Sequence, residues 1–584
     1  MLTRAQLASL AVCTTVLLSA GSVDRWLLSA DAGQAGPSRS PAPPPAALDG
    51  RAQARSMVIS PLGIVASEHP YASQAGAMVL AAGGSAIDAA IAANAVTGVV
   101  APHMNGIGGD LFAIVYEAGS GRLYGLNASG WSGSGLTMEL VQAQKLTRLT
   151  GVHSVTVPGA VAGWQALHDR FGRLPLADVL APAIKAARDG FPVTEWTAGD
   201  WASHVNNLQR DANAARTYLP DGRAPAVGQI FRNPDLAWSL ERLATIGTSD
   251  FYRGEIAARI VDYLERHGGT ITAADMADYA PEWIDPVSTT YRGWTVYELP
   301  PNGVGIAALE MLNIVERYPM TEWGHNSVEA LHALIEAKKL AYADISRYVA
   351  DPAHSRVPTA TLISKPFADT RAALVDADRA NCDVPAATMP ASGGDTIYLS
   401  AVDAEGNIVS LIQSNYGLFG SRLVPDGVGF VLHNRGALFS TDPEHPNAAG
   451  PRKRPQHTII PAFMSRGDVK IAFGIMGGWN QSQAHAQFVS NIVDHGMNIQ
   501  AAMEAARFNM GSFAGCSVAM EQRVPASVRA ALESMGHVIQ LRHDYSDAMG
   551  GGQAVMRDFA TGVNYGASDP RKDGAAIPQP LLLP

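Results

Sequence analysis

Thr396 stands at the head of a run that reads as a β-strand, directly behind Gly393-Gly394-Asp395, whose glycines read as a flexible stretch. Residues Thr396 to Asp403 are rich in β-branched and aromatic side chains, Gly406-Asn407 supplies a turn, and Ile408 to Ser414 returns as a second strand. A threonine in that place has a specific chemical use. Cleavage of the Asp395–Thr396 bond would give Thr396 an α-amine beside its own hydroxyl. Such an amine titrates at about pH 8, so it can take the hydroxyl proton and later return it to a leaving group. Thr396 would then cut its own chain first and a substrate amide afterwards. Taken alone the hairpin does not decide this, because many ordinary strands open with threonine.

The surrounding residues narrow the choice. After Asp395-Thr396 come Gln413-Ser414-Asn415-Tyr416 and then Leu432-His433-Asn434-Arg435-Gly436. Lys453-Arg454-Pro455-Gln456-His457-Thr458, Met476-Gly477-Gly478-Trp479-Asn480 and Tyr565-Gly566-Ala567-Ser568-Asp569-Pro570-Arg571 follow. The first half holds Pro102-His103-Met104-Asn105-Gly106-Ile107-Gly108-Gly109-Asp110 and Glu298-Leu299-Pro300-Pro301-Asn302-Gly303. This succession resembles the γ-glutamyltransferase (γ-glutamyl transpeptidase) family from about Val58 to the C-terminus. The resemblance implies an N-terminal-nucleophile hydrolase, a four-layer αββα sandwich of mixed helices and strands. It implies autoprocessing into a large chain, 51–395, and a small catalytic chain, 396–584, which stay associated as a heterodimer. It also implies a small-molecule amide substrate such as glutathione, an acyl-enzyme resolved by water or an amine acceptor, and no cofactor.

Roles follow residue by residue. Thr396 is the nucleophile, and Ser414 stands where the family has a second threonine, keeping the hydroxyl and losing a methyl. The backbone N–H groups of Gly477 and Gly478 match the family's oxyanion donors; glycine allows the backbone to approach closely. Ser129, Tyr416, Arg435, His457 and Thr458 fall at substrate-binding positions, Tyr416 as a pocket wall. There the chain departs from the family. The arginine expected near Ser129 and the asparagine expected at Tyr416 are missing, the glutamine and aspartate expected around Arg435 and Leu438 are replaced, and the serine pair is His457-Thr458. The stretch Phe439 to Pro455 is shorter than the lid loop of many members. A zwitterionic glutamyl head needs a cation for its carboxylate and an anion for its ammonium. Losing the acid and gaining Arg435 points to an acyl group with a carboxylate and no amine. Three readings therefore compete: a γ-glutamyl hydrolase or transferase, an acylase of the glutaryl or oxamate type, and a catalytically silent binding protein on the same scaffold. The intact Thr396, Ser414, Gly477 and Gly478 weigh against the third.

Composition excludes several other classes. Only 16% of residues are charged and the formal net charge is −10, so no phosphate-neutralising surface for nucleic acid is visible. A G-x-S-x-G elbow, H-E-x-x-H and a P-loop are all missing from the sequence, which removes serine-elbow, zinc-protease and nucleotide chemistry. Cys13, Cys382 and Cys516 have no C-x-x-C spacing and give no metal site; two free thiols are a plainer reading than a Cys382–Cys516 bridge. Arg4 and the apolar run Leu7 to Leu18 read as a signal peptide or short anchor within 1–35, followed by a Pro/Ala-rich linker at 36–50. That places the protein outside the cytoplasm, unless translation really starts near Met57.

The elements that must position these residues are partly visible. Ala72 to Val99 reads as two buried helices broken at Gly83-Gly84, and Pro175 to Asp189 and Ser327 to Ala350 as amphipathic helices. Trp294 to Leu299, Gly429 to Leu432 and Val469 to Phe473 read as strands, and Gln483 to His495 and Ile499 to Phe508 as helices. The chain has no internal repeat.

Overall fold

A computed structural model describes residues 53–384 and 395–581. The signal, linker and Gly393-Gly394 expectations lie outside the described residues. From Ala52 onward the chain forms one compact unit. Its centre is a pair of seven-stranded sheets in which the paired strands run antiparallel. The first sheet runs, edge to edge, 575–578, 64–67, 395–402, 408–416, 110–117, 122–128 and 282–284. The second runs 58–60, 563–568, 552–558, 469–475, 462–466, 294–298 and 287–291.

Side-chain alternation explains why the sheets stack. Phe112, Ile114, Tyr398, Ile408 and Ile412 of the first sheet meet Phe463, Ala472 and Val555 of the second in one buried cluster. The intervening residues Leu111, Ala113, Val115, Leu399 and Leu411 point outward onto helices that include Ala86–Val100 and Ala160–Phe171. On the opposite face Ile471, Phe473 and Ile475 pack on Ile306–Val315, Val328–Tyr348 and Gln481–Val493. A strand buried on both faces carries apolar residues without a break, and helices must cover each outer face. The result is helix, sheet, sheet, helix, the fold that the resemblance implied.

Most of the expected elements are present. The helices are Pro70–Ala81, Ala86–Val100, Leu176–Asp189 and Val328–Tyr348, and the hairpin is Asp395–Val402 with Ile408–Tyr416. Two expectations are corrected. Gly429 to Leu432 joins neither sheet: Leu432 N–H donates to Leu423 O, its carbonyl accepts from Ser421, and Gly429 sits at φ +75°. The segment is held by loop hydrogen bonds instead of a ladder. The helix from Ile499 ends at Glu504, and Phe508–Asn509 pairs with Ala519 and Met520 as a short strand. Free thiols are also overturned, because Cys382 and Cys516 form a disulfide with their Cα atoms 5.1 Å apart.

Candidate active site

Thr396 and Ser414 occupy adjacent central strands, both buried. Ile397 pairs with Gln413 while Asp395 pairs with Tyr416, so Asn415 is one residue too many for a regular ladder. A bulge of this kind re-aims the neighbouring side chains. Thr396 Oγ1 donates to Ser414 Oγ at 3.1 Å, and Ser414 Oγ also accepts the Tyr416 N–H at 2.7 Å. The serine hydroxyl thus fixes the threonine rotamer and is itself fixed by backbone.

The next strand brings a residue that the sequence reading passed over. Asp110 stands opposite Ser414 in register, fully buried at the start of Asp110–Glu117. The preceding Gly109 has no room for a side chain, since a Cβ there would lie 2.6 Å from Ser414 O. Asp110 Oδ1 accepts the Gly130 N–H at 3.0 Å. Its Oδ2 accepts from His457 Nε2 at 2.9 Å and lies 3.1 Å from His433 Nδ1 and 3.6 Å from Arg435 Nε. Burial pushes this carboxyl up, but the interactions with His433 and His457 outweigh it and hold it below the usual carboxylate range. His457 Nδ1 accepts from Ile459 N at 3.3 Å, so the neutral ring is satisfied at both nitrogens. Burial, and then the nearby Arg435, hold its pKa down to about 3.

Arg435 is fully buried in a short helical turn, Arg435–Leu438. Its Nη1 donates to Thr458 Oγ1 at 2.8 Å, and its guanidinium lies 4.6 Å from the centre of the Tyr416 ring. Its Nη2 makes no hydrogen bond among the described residues. Burial pulls the group down to about 10 even with Asp110 alongside. Asn434 ties this turn to the Thr396 hairpin: its N–H donates to Asn415 O at 3.2 Å, and its Oδ1 accepts the Gly417 N–H at 2.9 Å. Tyr416 is thus one hydrogen bond from Ser414, Arg435 lies against its ring, and Thr458 is bonded in turn to Arg435.

Gly477 and Gly478 leave the strand Val469–Ile475 at φ +128° and +57°. Gly474, just upstream, lies so close to the Tyr398 ring that a Cβ would stand 2.3 Å from it. Met476 belongs to the same core cluster as Ile397 and Leu399, and with Gly474 against Tyr398 the turn issues beside the Thr396 strand. Asn480 Nδ2 donates to Met549 O at 2.8 Å and Met476 N–H to Gly551 O at 2.9 Å, which holds the turn from behind. Ser129 belongs to a different knot. Its hydroxyl donates to Asn127 Oδ1 at 2.7 Å and accepts from Asn302 Nδ2 at 3.2 Å, and its carbonyl accepts from Arg454 Nε at 3.0 Å.

Asp110 and His433, which the structure brings beside Arg435 and His457, and Arg454, which holds Ser129, were given no role in the sequence reading. The signal for the first was a lone carboxylate behind two glycines; for the others none stood out.

Two central strands carrying Thr396 and Ser414, with helices outside both sheets, define an N-terminal-nucleophile hydrolase. The family model described as gamma-glutamyltranspeptidase matches residues 72–579, and the chain belongs to that family, an enzyme processed from a proenzyme by its own chemistry. It is 38% identical to the glutathione hydrolase-like YwrD proenzyme of Bacillus subtilis, covering 89% of this chain and 99% of that one. It is 35% identical to the oxamate amidohydrolase proenzyme of Klebsiella pneumoniae, with 89% and 98% covered. The crystal structure of a cephalosporin acylase from Bacillus halodurans superposes with a TM-score of 0.85 at 41% identity, covering 91% of this chain and 98% of that one. Members of the family are cut into a large and a small chain and act on small-molecule amides.

Proposed function

We propose that this enzyme hydrolyses an amide whose acyl half ends in a carboxylate and carries no α-amine, as in glutaryl amides. Thr396 Oγ1 attacks the acyl carbon while the freed α-amine takes the hydroxyl proton. The Gly477 and Gly478 N–H groups receive the oxyanion, each such donor being worth about 2.7–4 kcal/mol. The amine then returns the proton to the leaving nitrogen, and water, activated the same way, releases the acid. Ser414 steadies Thr396 throughout, and the boundary at Asp395–Thr396 separates the two chains.

One observation carries the substrate reading. Among the described residues the Arg435 Nη2 is a buried donor without a hydrogen-bond partner beside Tyr416, while the carboxylate next to it, Asp110, is already engaged by Gly130, His433 and His457. A carboxylate finds a donor at Arg435; a glutamyl ammonium would find no uncommitted anion at Asp110. At the position of the family's missing arginine, the Ser129 hydroxyl is committed to Asn127 and Asn302. The names acylase and oxamate amidohydrolase among the relatives agree with this direction. The N-terminal run of residues 1–35 further suggests export; no helix among the described residues is long and apolar enough to cross a membrane.

Processed enzyme incubated with glutaryl, γ-glutamyl and butyryl anilides tests the proposal. Glutaryl should be cleaved fastest, and Arg435→Met should remove its advantage over butyryl. A γ-glutamyl anilide cleaved about ten-fold faster than glutaryl would return the enzyme to glutathione-like donors.

A further inference from the structure

Tyr416 is also part of the wall of a cleft of about 450 Å³, lined in addition by Arg148, His204, Gly417, Arg422 and Asn434. Arg422 dominates its chemistry. The residue is half-buried, is held at φ +63°, and its Nε is a buried donor with no hydrogen bond among the described residues. Its charged neighbours are Arg210 and Arg148, and burial followed by these like charges lowers its pKa. An L residue kept in left-handed backbone, with cations gathered in a cleft that no carboxylate lines among the described residues, marks a place prepared for an anion from outside.

We infer that this cleft binds an anionic group on the amine half of the substrate, with Arg422 as the specificity-determining residue and Arg148 beside it. The direction follows from Tyr416. Arg435 lies against its ring, and Tyr416 is also part of the cleft wall. An amide whose acyl end reaches Arg435 therefore sends its other end into the cleft. This inference rests on the proposed acyl assignment, and the test keeps the two apart. With the acyl group fixed as glutaryl, processed wild type and Arg422→Gln are compared on the anilide and on the amide of 4-aminobenzoate. Arg422→Gln should lower kcat/KM about ten-fold more for the aminobenzoate than for the anilide, the loss of one charge-assisted hydrogen bond. Arg422→Lys should restore part of it, and added salt should reduce the wild-type preference. Equal losses on both amides would overturn the inference, as would a loss that follows charge on the acyl half in a glutaryl–butyryl pair. The acyl assignment itself is read separately, from the glutaryl-to-butyryl ratio at constant amine.

A second inference comes from the disulfide. Cys382 lies before the Asp395–Thr396 bond and Cys516 beyond it, so we propose that the mature large and small chains are joined covalently. The contact is built around the bridge. Ala380 N–H donates to Met535 O at 2.8 Å, Asn381 O accepts from Lys339 Nζ at 3.0 Å, and that ammonium pairs with Glu336 at 2.6 Å. Forming the bond passes two electrons and two protons to a disulfide-bearing oxidant by thiol–disulfide exchange, chemistry of an exported protein. Processed enzyme quenched with alkylating agent should migrate as one band without reductant and as two with it. Cys516→Ser should give two bands under both conditions. Two bands without reductant, together with alkylated Cys382 and Cys516 in wild type, would overturn the link.

Discussion

Replacing Asp110 by asparagine should destabilise the protein far more than the change of one atom suggests. The asparagine keeps the shape and can still accept the Gly130 N–H, now at 3.0 Å from Oδ1. It removes the charge facing Arg435 Nε, at 3.6 Å, and turns an acceptor into an amide that must face the His457 Nε2–H. All of these groups are fully buried, so water cannot take the place of the lost anion. Deleting one partner of a buried ion pair costs about 3–5 kcal/mol, chiefly because the other charge is stranded. Arg435→Met removes the stranded charge and keeps most of the volume. The double variant Asp110→Asn/Arg435→Met should therefore recover about 2–3 kcal/mol relative to the sum of the singles. Denaturant unfolding in a Thr396→Ala background, where every variant stays a single chain, gives these energies from midpoints at equal slope. An Asp110→Asn variant within about 1 kcal/mol of its parent would refute the reasoning, as would strict additivity in the double.

Three further outcomes are expected. Thr396→Ala should stay uncleaved and inactive and Thr396→Ser should process slowly, both read by N-terminal sequencing of the small chain; a Thr396→Ala protein that still splits would remove Thr396 from the mechanism. His69 caps Pro70–Ala81 by accepting the Tyr71 N–H at 3.2 Å, and burial, then His103, holds its pKa down to about 3. Because the folded pKa lies below the unfolded one, this contribution is intact above about pH 6.5 and is lost by about 1.4 kcal/mol per unit as pH falls toward 3. His69→Asn keeps a capping oxygen and does not titrate, so urea midpoints should show it gaining roughly 2 kcal/mol on wild type between pH 7.5 and 5. Gly550 lies at φ +72° with its missing Cβ only 1.9 Å from Met476 O, so Gly550→Ala should push the Gly477-Gly478 turn and lower kcat by about 100-fold while circular dichroism stays native. An unchanged kcat would mean that this turn does not hold the oxyanion.

The sequence made visible what is local. The β-branched and aromatic run and the Gly406-Asn407 turn give away the Thr396 hairpin, and Gly83-Gly84 between Ala-rich runs gives away the helix pair behind it. Pairings across long separations stayed hidden. The disulfide spans 134 residues, and nothing in the spacing of two lone cysteines reports the 5.1 Å between their Cα atoms. Gly429 to Leu432 has the composition of a strand and finds no ladder, because its hydrogen bonds go to the Ser421–Leu423 loop. His457 and Arg435 have the residue types of a binding pocket, yet both are held in the interior by Asp110, a residue more than three hundred positions upstream. A physical rule would have exposed that partner. An arginine gained where a family loses its acid needs an anion from elsewhere if it is buried, and Gly108-Gly109-Asp110 offers a carboxylate on a strand that pairs with Ser414. The altered pocket is thus one electrostatic unit, in which Arg435, His433 and His457 share a single anion. On the proposed acyl assignment a substrate carboxylate would meet Arg435, whereas a substrate ammonium would face at Asp110 a carboxylate already engaged by Gly130 and His457.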